Sequence, residues 1–483
     1  MEAPTAPPTP GPPDPSASAR GTWAWRAVAL FAVAATLAFR LAIVEGYHVP
    51  GGSGHQYHQL ATQLQASHRF AYGPPPAPLT HGMVPGYSLF LAFVARTVPA
   101  PTVHRHYLRA ARANALLDVA TALLVALALR RRGRLAAGLG FAFVATCPIL
   151  VYMASFALPE SLSTLLLTGA LLLALRAGEG RPLRHALFAG VVIGLCQLVR
   201  SDAVAVVPAV TLALFWSGGP WRRRLLAAAL CGLAALVVFS PWPIRNRIQF
   251  DGFYPLRSEW ITMRGAERPT GMMDWMRTWA TGGVRELYTQ FVVEREVPFD
   301  MRRKDNILPA MYDSEAERQR VAALFDAYNR GLLTPEVDAG FRELARERAR
   351  RAPFRTYVTL PALRLWRMAE PMLEAELPVR SPLLGLPAQR GRYTTYQHLL
   401  FASALVGALV LLRGGRRERQ ILAVVVVAVA TRALLFAYVL PMPTQRYVVE
   451  VFPLPMGLAG LGVAAVVLGV GRRIRRRGAG PPG

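Results

Sequence analysis

Ten apolar runs of membrane-crossing length constrain this chain more than any other feature. They fall at about 22–44, 107–129, 134–153, 158–177, 184–200, 202–217, 223–241, 395–412, 420–440 and 446–470. A spanning helix needs about 20 residues, with about 17 a workable minimum. Hydrocarbon offers no partner to an open backbone, so runs of this length cross as helices. The chain therefore reads as an all-α polytopic membrane protein. An eleventh run at 83–98 is short and begins Met-Val-Pro-Gly-Tyr. Hydrophobic residues make up 53% of the chain and charged residues only 17%, which excludes a disordered chain.

The charges settle the expected topology. Arginines cluster at Arg130–Arg134, at Arg176–Arg184, at Arg222–Arg224, at Arg413–Arg419 and at Arg472–Arg477. If 83–98 does not cross, ten spans place every cluster on the cytoplasmic side together with both termini, as the positive-inside rule asks. If it crosses, either the first loop or all five clusters face the wrong way. Residues 83–98 are thus expected as a half-buried helix in a large external loop, residues 45–106. The net charge of +26 is carried almost wholly by arginine, with Lys304 the single lysine. Heavy use of Ala, Arg, Gly and Pro points to a GC-rich genome, so the basic balance is not read as nucleic-acid binding. Between Trp242 and Tyr393 lie 20 of the 29 acidic residues and 25 of the 55 basic ones. That segment is one large polar insertion, mainly helical and outside the membrane.

The expected organisation follows. Residues 1–21 are a Pro-rich, disordered cytoplasmic tail. Residues 22–242 form an N-terminal membrane bundle, and 243–393 the extracytoplasmic polar domain. Residues 394–470 form the C-terminal membrane helices, and 471–483 a basic cytoplasmic tail. The first apolar run is long enough to span, so it is not read as a cleavable signal. Cys147, Cys196 and Cys231 all lie in apolar runs and read as small core residues, with neither a metal spacing nor a disulfide framework.

Most of the remaining polar features gather at the extracytoplasmic face. From Gln56 to Ser67 an amphipathic pattern puts Tyr57, Leu60, Ala61 and Leu64 on one stripe, which suits a helix at the interface. Pro85-Gly86-Tyr87 opens the half-helix, whose free N–H groups suit an anion such as a lipid phosphate. Glu160, first in its span after Pro159, either serves its own helix dipole or faces a cavity, as ionisable residues at membrane depth usually do. Arg200-Ser201-Asp202 reads as a local ion pair in a tight turn. Asn114 and Asp118 share one helix face, where an inter-helix hydrogen bond is expected. Arg40 and Arg432, inside their spans, either snorkel outward or clamp a phosphate. Pro241-Trp242-Pro243-Ile244-Arg245-Asn246 leaves the membrane, and Gln445-Arg446-Tyr447 opens the final span. Arg245 and Arg446 beside aromatics serve either as belt anchors or as a phosphate and lipid-tail site. No GxGxxG, P-loop, HExxH or CxxC motif occurs.

These motifs, in this order, resemble the integral-membrane glycosyltransferases of the GT-C fold. The likeness is to bacterial relatives of dolichyl-phosphate-mannose protein mannosyltransferases and of lipid A aminoarabinose transferases, over roughly residues 22–470. It rests on Arg40-Leu41, Tyr57 to Ala61, Pro85-Gly86-Tyr87, Pro159-Glu160-Ser161, Gly194 to Asp202, Pro241 to Asn246 and Arg446-Tyr447. The resemblance implies transfer of a sugar from a polyprenyl-phosphate sugar to an acceptor hydroxyl at the outer face of the bacterial inner membrane, the acceptor being a glycan, a lipid or a protein. It implies neither nucleotide nor cofactor. Basic and aromatic groups, namely Arg245, Arg446, Arg432, Tyr447, Tyr57 and Tyr87, are expected to hold the donor phosphate and lipid. The family places an aspartate four residues before the loop tyrosine as general base; here that position is Ser53. Glu45, His55 and Glu160 are the expected catalytic residues. His55 ranks first as base because an imidazole is matched to neutral pH, and Glu160 is expected to orient acceptor or sugar. Ser53 also keeps open a catalytically silent relative that binds lipid or acts as a scaffold. A lipid flippase is a further reading, disfavoured by the lack of paired broken helices in matching halves.

Overall fold

A computed structural model describes residues 15–47, 53–73, 76–77, 79–97, 102–250, 270–282, 289, 292, 298–299, 307–331, 334–370 and 387–478. Among the described residues there is no strand beyond an isolated bridge between Ala71 and Leu79. The protein is all-α.

The membrane part comprises α1 (Pro15–Tyr47), α4 (Val103–Leu129), α5 (Arg134–Thr146), α6 (Pro148–Ala154), α7 (Glu160–Arg176), α8 (Pro182–Val199), α9 (Val207–Phe215), α10 (Trp221–Phe239), α11 (Pro241–Phe250), α16 (Pro387–Leu412), α17 (Arg416–Val439) and α18 (Pro453–Gly478). Seven helices are individually long and apolar enough to cross. Two bent pairs, α5 with α6 at 53° and α10 with α11 at 42°, raise the number to nine when each pair is counted as one span. Proline begins the second member of each pair, at Pro148 and Pro241, where its missing N–H breaks the ladder. The tenth expected span, at 202–217, is a shorter apolar helix, Ser201–Phe215. Its first turns, Ser201–Val206, are wound as 3-10 helix ahead of α9.

The run at 83–98 is a short apolar helix, α3 (Gly86–Thr97), preceded in the first loop by α2 (Ser53–Ser67). The amphipathic reading of α2 is borne out by its burial, with Tyr57, Leu60 and Ala61 all in the core. Gly86 lets α3 press on the end of α8: a Cβ there would lie 2.6 Å from the Leu198 carbonyl oxygen. Close backbone approach of this kind, made by small residues, replaces the hydrophobic drive that lipid does not supply. Gly407 of α16 meets the Leu458 carbonyl of α18 in the same way.

One boundary differs from expectation. Residues 445–447 do not open the final helix; they begin a 3-10 run, Gln445–Val451, and α18 starts only at Pro453. At Pro241 the helical stack bends and runs on as α11 to Phe250.

Three of the arginine clusters, 130–134, 176–184 and 413–419, converge. Arg131 pairs with Glu179 at 2.7 Å and Arg132 with Glu418 at 2.8 Å, while Arg417 lies 3.8 Å from Glu179. These contacts bring the ends of α4 and α7 and the start of α17 to one end of the bundle. By alternation, the start of α7, the end of α8 and the end of α17 lie at the other.

The polar insertion includes α12 (Thr270–Arg277), α13 (Glu315–Gly331), α14 (Pro335–Arg351) and α15 (Leu360–Ala369). Trp275, Met276, Phe299, Phe325, Tyr328 and Phe341 form its own core. Met442, from the loop after α17, completes that core. Arg364 fastens the same junction, donating to the carbonyls of Arg277, Ala280, Ala437 and Pro441.

Candidate functional site

Six charged side chains meet at the end of the bundle away from the arginine clusters. Glu160 stands in the first turn of α7, Arg200 just past α8, Asp202 in the 3-10 turn that follows, and Arg432 two turns before the end of α17. Arg446 and Glu450 come from the 3-10 run. Arg200 donates from Nη1 to Glu160 Oε1 at 2.9 Å, grips Asp202 at 2.6 Å and lies 3.0 Å from Glu450. Arg432 lies 2.8 Å from Glu450 and 3.4 Å from Asp202, and its Nε donates to the Tyr447 carbonyl at 2.9 Å. Arg446 Nε donates to Glu160 Oε1 at 2.5 Å.

Three carboxylates and three guanidinium groups balance the cluster, as buried ions must be balanced. Glu160, Glu450 and Arg432 have side chains at most 1% exposed, whereas Arg446 is 23% exposed. The cluster therefore opens to its surroundings at Arg446. Glu160 Oε2 is buried. Among the described residues nothing hydrogen-bonds that oxygen, so Glu160 is clamped through Oε1 and keeps acceptor capacity at Oε2.

The first loop sits over this carboxylate. Asn114 Nδ2 donates to the Phe156 carbonyl at 2.6 Å and shapes the turn that leads into α7. Asn114 also bonds the Tyr87 hydroxyl at 3.3 Å, and Tyr57 stacks edge-on against the Tyr87 ring at 5.1 Å. At the start of α2, Gly54 lies against the Ala157 carbonyl, with room for a Cβ only at 3.4 Å. His55, next along, is exposed; its Nδ1 is 3.5 Å from the Tyr107 hydroxyl and its Nε2 3.0 Å from Gln59 Nε2. His55, Tyr57, Tyr87, Glu160, Arg446 and Tyr447 are thus placed on segments that meet around one turn.

Of the other expected residues, Glu45 and Arg245 stand apart from the cluster. Glu45 pairs with Arg112 Nε at 2.7 Å and is 46% exposed. Arg245 donates to the Thr80 carbonyl and to Asn246 Oδ1, both at 2.8 Å, and lies over the rings of Trp242, Phe250 and Phe70 at 5.0–5.7 Å. It binds α11 to the first loop. Arg432 is fully buried among Glu450, Asp202 and Tyr447, a lock within the cluster. Arg40 neither snorkels nor faces a phosphate: it donates to Asp118 at 2.8 Å and to the Ala145 carbonyl, both partners buried. The inter-helix bond expected of Asp118 is that one. Among the described residues no group of three or more His, Cys, Asp or Glu side chains is arranged to hold a metal ion.

Glu450 was missed by the sequence reading. Its signal was an ionisable residue inside an apolar run, four residues after Arg446, which by default marks function in a membrane protein. The pairing of Arg200 with Glu160 was hidden because the adjacent Asp202 supplied a local partner.

His58, one turn after His55, stacks on His106 at 4.2 Å. Burial, with His55 adding repulsion, holds the His58 imidazole below its ordinary value of 6.5. The folded protein then takes up this proton later than the unfolded chain. The stability it contributes is full above about pH 6.5 and is lost as the pH falls below that value. Melting curves from pH 7.5 to 5 are expected to shift downward, and His58→Phe is expected to flatten that shift; an unchanged slope in the variant would count against the assignment.

Residues 104–244 match the family described as dolichyl-phosphate-mannose-protein mannosyltransferase. No protein of curated function matches the chain. Among solved structures the chain is similar to the oligosaccharyltransferase AglB from Archaeoglobus fulgidus in complex with an inhibitory peptide and a dolichol-phosphate, at 14% identity and TM-score 0.49, over 93% of this chain and 52% of that one. It is also similar to ArnT from Cupriavidus metallidurans bound to undecaprenyl phosphate, at 17% identity and TM-score 0.42, over 91% of this chain and 78% of that one. The chain thus spans about half the length of the archaeal protein.

Proposed function

We propose that this chain, a GT-C relative of the dolichyl-phosphate-mannose-protein mannosyltransferases through residues 104–244, moves a sugar from a polyprenyl-phosphate sugar to an acceptor hydroxyl. The reaction takes place at the Glu160 end of the bundle, on the extracytoplasmic face of a bacterial inner membrane. The observation that carries this reading is the Glu160 carboxylate, held by Arg200 and Arg446 through one oxygen and, among the described residues, without a hydrogen bond at the other, beneath the start of α2.

The acceptor oxygen attacks the anomeric carbon as the bond from that carbon to the phosphate oxygen breaks. The hydroxyl proton passes to the base, and the polyprenyl phosphate leaves with one more negative charge. A guanidinium beside the departing phosphate stabilises that developing charge. Arg446 suits this role as the exposed member of the cluster, and Arg200 holds the carboxylate that orients the hydroxyl. Two guanidinium groups already engage Glu160 Oε1, so the proton goes to His55, an exposed imidazole next to the same turn.

Arg446→Ala is expected to weaken donor binding by about 2–5 kcal/mol. Titration of the purified protein with a radiolabelled polyprenyl-phosphate sugar measures it, and unchanged affinity removes Arg446 from the site. The face is tested separately. A cysteine at Gly414, at the arginine-rich end, should label only after permeabilisation, whereas one at exposed Asp326 should label in intact cells; the reverse pattern inverts the topology. Ser53 favours a second reading, lipid binding without transfer. That reading prevails if the wild type transfers no lipid-linked sugar and Ser53→Asp does.

A further inference from the structure

The arginine-rich end of the bundle holds a cleft of about 370 Å³ that the transfer reaction does not use. Its volume falls within the range of small-molecule sites. The walls are apolar and come from five helices, among them Leu172 and Leu175 of α7, Ile421 of α17, and Leu454 and Leu458 of α18. Its rim carries five guanidinium groups, Arg130, Arg131, Arg132, Arg176 and Arg417, against one lining carboxylate, Glu179.

The pairing on the rim is incomplete. Glu179 is shared between Arg131 and Arg417, and Arg132 is taken by Glu418. Among the described residues no carboxylate pairs with Arg130 or Arg176. A rim with surplus positive charge above an apolar slot between membrane helices matches one class of molecule: an anionic head with a hydrocarbon tail. Basic pockets between membrane helices hold such head groups in general. The cleft lies at the opposite end of α7 from Glu160, so an occupant's phosphate is remote from the transfer site.

The geometry points to a structural binding site for an anionic diacyl phospholipid of the surrounding leaflet, its phosphate on Arg130 and Arg176 and one acyl chain along Leu172, Leu175 and Leu458. The site is independent of the transferase reading, because it draws on neither the same residues nor the same end of the bundle.

Native mass spectrometry of the full chain in detergent tests it, with cardiolipin, phosphatidylglycerol and phosphatidylcholine as probes. The wild type should retain the anionic lipids in preference to phosphatidylcholine. R130Q/R176Q should lose about thirty-fold in affinity and E179Q should gain about five-fold, at roughly one guanidinium's worth of attraction per charge. The gain in E179Q separates the effect from misfolding. Equal retention of phosphatidylcholine, or R130Q/R176Q binding like the wild type, overturns the proposal. Displacement of the phospholipid by undecaprenyl phosphate at equal concentration also overturns it and makes the cleft an isoprenoid site.

Discussion

Glu450→Ala is expected to destabilise the protein by about 3–5 kcal/mol, the cost of leaving a buried charge without its partner. Arg432 is fully buried and lies 2.8 Å from Glu450, and Arg200 reaches the same carboxylate at 3.0 Å. Removing Glu450 leaves three guanidinium groups against two carboxylates in a site nearly closed to water. Asp202 takes up part of the excess through Arg432 at 3.4 Å, which holds the cost below that of an isolated ion. The Glu450→Leu/Arg432→Met double variant removes one charge of each sign and fills similar volume, so it should recover most of the loss. Denaturation midpoints of the singles and the double close the cycle. A cost below about 1 kcal/mol for Glu450→Ala, typical of exposed pairs, would mean that water enters the cluster.

The second large effect is catalytic. His55→Ala should lower turnover by about 10²–10⁴-fold, the usual worth of a general base, while donor affinity survives. His55→Ala retaining full turnover places the base elsewhere. Glu160→Gln should lower turnover too, yet it keeps the side-chain volume and removes the partner of Arg446, so it should also alter donor affinity. The two variants therefore separate proton transfer from charge balance.

The fold was legible because its dominant signal is one-dimensional. Apolar length and arginine clusters read directly from the sequence, and the ion pairs Arg131–Glu179 and Arg132–Glu418 bring three of the five clusters to one end. Local breaks were less legible. Proline at 241 reads as an exit from the membrane, and only the structure shows that it also opens a bent helical continuation of α10 into α11. The charge cluster was legible in most of its members more than in its wiring, and the proposed site was read from the same signals. Glu160, Arg446 and His55 carried sequence signals of their own. Glu450 sat within an apolar run and was counted as part of a span. Which arginine serves which carboxylate depends on helices separated by hundreds of residues, and no local pattern encodes that. Arg245 and Arg446 look alike in sequence, each a guanidinium beside aromatic residues; one braces the first loop and the other opens the charge cluster.

The Arg364 contact has a mechanical consequence. Its guanidinium holds the carbonyls of Arg277 and Ala280 on the insertion together with those of Ala437 and Pro441. Pro441 stands five residues before Arg446. A side chain with this many backbone acceptors behaves as a rivet, because shifting either plate breaks several bonds at once. Tilting α12 by pressing on the insertion would therefore drag the strap that carries Arg446 and Glu450. The polar insertion and the segment that runs on to Arg446 and Glu450 are thus pinned together through one side chain.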